Sequence, residues 1–64
     1  MFTNKDKAEC AEREVKQRQW VYPRRVASGK MTQALADRQI ALMEAIAADY
    51  RAKADEEDAA GRLI

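Results

Sequence analysis

The stretch Leu35-Ala36-Asp37-Arg38-Gln39-Ile40-Ala41-Leu42-Met43-Glu44-Ala45-Ile46-Ala47-Ala48-Asp49-Tyr50-Arg51-Ala52-Lys53-Ala54 contains neither glycine nor proline, and its apolar residues recur at helical spacing. At 100° per residue, Leu35, Ala36, Ile40, Leu42, Met43, Ile46, Ala47, Tyr50 and Ala54 fall within an arc of about 160°. Inside that arc, Ala36, Ile40, Met43, Ala47, Tyr50 and Ala54 alternate steps of four and three, the spacing of a coiled-coil seam. The pattern predicts one long amphipathic helix over residues 33–60, ended by Gly61. Ala41, Ala45, Ala48 and Ala52 lie on the other side. Good helix propensity explains them, and a second close packing surface is the alternative.

Working back from this helix, Thr32 is its best cap, and Gly29 suits the left-handed position after a preceding turn. Pro23 disfavours the α region for Tyr22, so a first helix is expected to end near there. Residues 22–32 are then an elbow. Upstream, Thr3 or Asn4 caps a helix over residues 5–21, supported by the pairs Glu9 with Arg13, Glu12 with Lys16 and Glu14 with Arg18. Its apolar stripe is thin: Ala8, Ala11, Val15 and Tyr22, with Arg18 filling the gap. At 1.5 Å per residue the two helices are about 26 and 40 Å long. Folded back on each other they put Asn4 near Tyr50 and leave the segment from Arg51 to Ala60 without a partner in its own chain.

The expected architecture is therefore all-α: one domain over residues 1–64, an antiparallel two-helix hairpin with a Pro-containing elbow. A folded 7.3 kDa chain should expose about 4,200 Å². With so little interior, self-association into a helical bundle is expected, as a homodimer through Leu35, Ile40, Met43, Ile46, Ala47 and Tyr50. No apolar run approaches the ~20 residues that cross a bilayer. Met1-Phe2 leads straight into the polar run Thr3-Asn4-Lys5-Asp6 with no apolar h-region, so no secretory signal is expected.

Charge is uneven. Residues 1–32 hold eight bases and four acids, and residues 33–64 hold four bases and seven acids. From Lys16 to Lys30 there is no acid, and Trp20 and Tyr22 sit among the bases. The expected partner-binding residues are Trp20, Tyr22, Arg24, Arg25 and Lys30. Charge with planar rings suits an acidic protein surface or single-stranded nucleic acid, and the same residues would serve equally as plugs and solvated charges at the end of a hairpin. Asp55-Glu56-Glu57-Asp58 is the acidic counterpart. It reads as a solubilising end or as a docking site for a basic partner, including the elbow of another copy.

Catalysis is not expected. The chain has no histidine, so a general base near neutral pH would need a carboxylate or lysine shifted by deep burial. Gly29-Lys30-Met31-Thr32 lacks the upstream glycine and the Ser/Thr after lysine that a phosphate-binding loop requires. Cys10 lies off the apolar stripe and reads as an incidental surface thiol. No metal site and no cofactor are expected.

The stretch from Val21 to Gln33, with Ala36 to Ile46 and Asp49-Tyr50-Arg51, resembles a group of very small proteins encoded in proteobacterial phages and prophages. The resemblance spans about half the chain and carries no catalytic motif. It implies action in the cytoplasm of a bacterial host, as an accessory factor that binds a host protein. A nucleic-acid-binding accessory protein and a structural assembly subunit are the alternatives.

Overall fold

The computed structural model describes residues 1–62 and consists of two helices, α1 (Asn4–Ala27) and α2 (Gln33–Arg62). They form an antiparallel hairpin, a rod of 53 × 17 × 17 Å. No helix among the described residues is long and apolar enough to cross a membrane.

Thr3 caps α1 through a reciprocal box. Its Oγ1 accepts from the Asp6 amide at 3.0 Å, and its own amide donates to Asp6 Oδ2 at 3.2 Å. Thr32 caps α2 in the expected way, its Oγ1 accepting from the Leu35 amide at 3.1 Å. Between the helices, Gly29 has φ +77°. Its amide donates to the Val26 carbonyl at 3.0 Å, and the Lys30 amide donates to the Arg25 carbonyl at 2.9 Å. These two bonds are the Schellman pattern, and they require a residue that tolerates positive φ where Gly29 stands.

The first helix departs from expectation. α1 does not stop before Pro23 but runs through it to Ala27. Proline removes the amide that would bond the Gln19 carbonyl, at a cost of roughly 3 kcal/mol relative to alanine in a helix interior. What offsets this is tertiary. The extra turns half-bury Tyr22 and Val26 and bring the chain to its glycine cap. The consequence is a change of register. Six more residues lengthen α1 by about 9 Å, so Asn4 reaches Glu57 rather than Tyr50, its Nδ2 donating to Glu57 Oε1. The segment beyond Tyr50 is thereby covered: Ala54 is buried, and Arg51 pairs with Glu12. At the other end, α2 continues through Gly61 to Arg62, whereas Gly61 was expected to end it. Of the tail Arg62-Leu63-Ile64 that the sequence reads as frayed beyond Gly61, Arg62 is helical, and Leu63 and Ile64 lie outside the described residues.

Among the described residues the buried set is Ala8, Ala11, Ala36, Ala47 and Ala54, every one an alanine. Small side chains let two helices approach closely, but they give few knobs to fix their register. Polar contacts along both edges do that instead. Arg51 makes a bidentate pair with Glu12 at 2.9 and 2.8 Å. Arg18 Nη1 donates to the Gln39 carbonyl at 2.9 Å, while its Nε is held by Glu14 at 3.0 Å. The Lys7 and Lys53 ammonium groups lie 5.3 and 5.2 Å from the Tyr50 ring centroid.

Candidate interaction surfaces

Continuation of α1 through Pro23 re-sorts the expected binding residues. Trp20 and Tyr22 are two positions apart on one helix and so point about 200° away from each other. Tyr22 is half-buried, with the Arg18 guanidinium 5.8 Å from its ring centroid. Trp20 is 65% exposed, and Arg24, one turn on, lies over its ring at 4.1 Å. Arg25 and Lys30 are exposed. Arg25 lies about a quarter-turn of helix or more from Arg24, and Lys30 sits in the connection. The five residues do not form one site. Trp20 and Arg24 belong together, and Tyr22 belongs to the hairpin.

The face that does form is longer than the sequence reading proposed. Arg13, Lys16, Gln17 and Trp20 line one open depression on α1, and Arg24 extends it by another turn. Steps of three and four, from Arg13 to Lys16 and Gln17, then Trp20, then Arg24, are the signal that marks this face. Arg13, Lys16, Gln17 and Trp20 share that face within the expected helix, and Arg24 joins them once the helix runs past Pro23. A guanidinium over an exposed indole is worth about 0.5–1 kcal/mol. It also holds both side chains in a fixed relation, which lowers the entropy they lose on binding.

The residues expected to bury against another copy also divide. Ala47 is buried within the hairpin, and Ile40, Met43 and Tyr50 are half-buried on the same side of α2. That seam is occupied by α1 because α1 is long enough to cover it. Leu35 and Ile46 remain exposed, joined by Leu42, at 45, 38 and 50% exposure.

The acidic run is partly engaged. Glu57 accepts from Asn4, and Asp55 lies 3.9 Å from Arg51. Two groups have displaced pKa values. The Glu12 carboxyl is held below its ordinary value, first by its hydrogen bond with Arg51 and then by the charges of Arg51 and Lys16, against an opposing effect of burial. Arg51 moves upward for the reciprocal reason. Both move away from neutrality. Among the described residues, no group of three or more His, Cys, Asp or Glu side chains is placed to hold a metal ion. Cys10 is exposed and free.

No family model, curated protein or solved structure matches this chain. The class defined by the fold is an all-α helical hairpin with an alanine core and two separate exposed faces, one basic with a tryptophan and one aliphatic.

Proposed function

We propose that this chain is a small non-enzymatic accessory protein that binds and modulates a bacterial host protein in the cytoplasm, docking through the outer face of α1. The observation that carries this reading is Trp20, 65% exposed beneath Arg24 and flanked by Arg13 and Lys16. Tryptophan and arginine are the residues that most often dominate protein–protein binding energy, and here they stand together on a rigid helix. The surrounding bases favour an acidic patch on the partner. A single-stranded nucleic acid is less well served. Stacking platforms use several rings, and Tyr22 stands on a different side of α1 from Trp20. The net charge of +1 is low for a dedicated nucleic-acid binder.

The test is affinity capture from bacterial lysate with the full chain, with and without nuclease, followed by binding measurements on the purified partner. Trp20→Ala should speed dissociation by tenfold or more, and Arg13→Ala or Arg24→Ala should mainly slow association and reduce its salt dependence. Capture that disappears on nuclease treatment would replace this reading with the nucleic-acid one. Capture indifferent to all three substitutions would remove the face from consideration.

A further inference from the structure

Leu35, Leu42 and Ile46 lie on one stripe of α2, within about 40° of one another and about 100° round the helix from the seam that holds α1. They are among the most exposed large apolar side chains of the chain, at 45, 50 and 38%. Two charges belong to the same stripe. Arg38 and Asp49 are eleven residues apart, close to three full turns, so they line up about 16 Å from each other along it. Neither has a hydrogen-bonding or ionic partner among the described residues.

From these observations we infer that the stripe is covered by a second copy of this chain, related by a two-fold axis, with the two α2 helices antiparallel. Three observations select this occupant. The first is charge. In an antiparallel pair, Arg38 of each copy meets the partner's Asp49, and the two ion pairs close the contact at both ends; a parallel pair would set Arg38 against the partner's Arg38. The second is apolar contact. The register that joins Arg38 to the partner's Asp49 sets Leu42 within about 1.5 Å of the partner's Ile46 along the helix axis, on the same face, so the large exposed side chains cover each other. The third is area. The chain exposes 5113 Å², roughly 900 Å² more than the ~4,200 Å² expected for a folded protein of its mass. A standard interface removes about 800 Å² per partner. The four helices then form a bundle with the alanine seams as two of its contacts and the aliphatic stripe as the third. The Trp20 face is on the side of α1 turned away from α2, so the dimer presents it twice.

The experiment is sedimentation velocity and equilibrium on the full chain from about 1 to 300 μM, with helicity followed by circular dichroism. The expected result is a dimer. Leu42→Glu should shift the mass to that of the monomer while the chain remains helical, since Leu42 lies outside the alanine seam. Arg38→Asp and Asp49→Arg should each weaken association by on the order of tenfold or more, because each replaces two attractive pairs by two repulsive ones. The double variant Arg38→Asp/Asp49→Arg should restore most of the affinity. A monomer throughout the concentration range would overturn the inference. A dimer insensitive to Leu42→Glu, or one that the double variant fails to rescue, would overturn it as well. None of these outcomes depends on Trp20, so the proposed binding face stands or falls separately.

Discussion

The two sides of α2 differ in what stands at their centre. On the side facing α1, Ala36, Ala47 and Ala54 are buried along the centre, with Ile40, Met43 and Tyr50 half-buried beside them. About 100° away, Leu35, Leu42 and Ile46 face solvent. A chain built to be stable alone would put its largest apolar side chains where they remove most surface from water, at about 25 cal/mol per Å². Here the inner side is built for close approach between two backbones, and the outer side carries the apolar area that remains to be covered. The contrast teaches that the line of closest approach between the two helices goes to small residues, with larger ones half-buried beside it.

The contrast breaks most sharply at the seam. Ala8 is completely buried and Ala47 nearly so, so Ala8→Leu or Ala47→Leu forces side chains into a contact with no room for them. Each should destabilise the hairpin by about 1–3 kcal/mol. Leu42→Ala on the outer side should change hairpin stability by less than about 0.5 kcal/mol in the Arg38→Asp background, where the copies are separated and the stripe is uncovered. Urea unfolding at low micromolar concentration gives both numbers. Equal losses at the two positions would mean that inner and outer sides do not differ as described.

A smaller effect is expected where α1 begins. Thr3→Ala removes one half of the capping box and should cost about 1 kcal/mol. Its local signature sharpens the comparison. Amide exchange should accelerate in the first turn of α1 and around Ala54, which that turn covers, while amides near Leu42 hold their protection. Acceleration spread evenly along α2 would show that the hairpin opens as one unit.

Much of this architecture was legible in the chain before any coordinates. The four-three spacing from Ala36 to Ala54 gave the seam, and Thr32 and Gly29 marked the connection. The end of α1 was not legible, because the local rule at Tyr22-Pro23 opposes a helix while the compensation comes from packing further on, at Val26 and the Gly29 cap. That one local decision moved the register by seven residues. It made the second half of α2 look uncovered, and it put Tyr22 in an elbow where it could join Trp20, when a continuous helix sets the two on different sides. It also hid the division of α2. In sequence the arc of about 160° reads as one interface, although its alanine edge serves α1 and its leucine edge does not. Which edge a neighbour takes depends on the neighbour's own small residues, Ala8 and Ala11, and that information lies in another helix.

The smallest predicted effect lies at the edge of the seam, in the ion pair that helps set the register. Arg51 holds Glu12 through two hydrogen bonds of 2.9 and 2.8 Å, and the pair is more than one third exposed. The Glu12 carboxyl is lowered below its ordinary value of 4.5, so between the lowered and the ordinary value the unfolded chain binds more protons than the folded one. The stabilisation is therefore fully present above about pH 4.5 and is lost as the pH falls through the lower, folded-state value. Arg51 shifts upward from an already high value, so it adds no titration in the accessible range. The unfolding free energy of the native chain minus that of Glu12→Gln should be constant from about pH 6 to 8 and should shrink as acid is added. Exposure to solvent keeps the pair weak, and added salt should reduce the same difference at neutral pH. A difference that is independent of pH would mean that Glu12 contributes through packing alone. The register would then rest on Arg18 with the Gln39 carbonyl and on Asn4 with Glu57, and not on this pair.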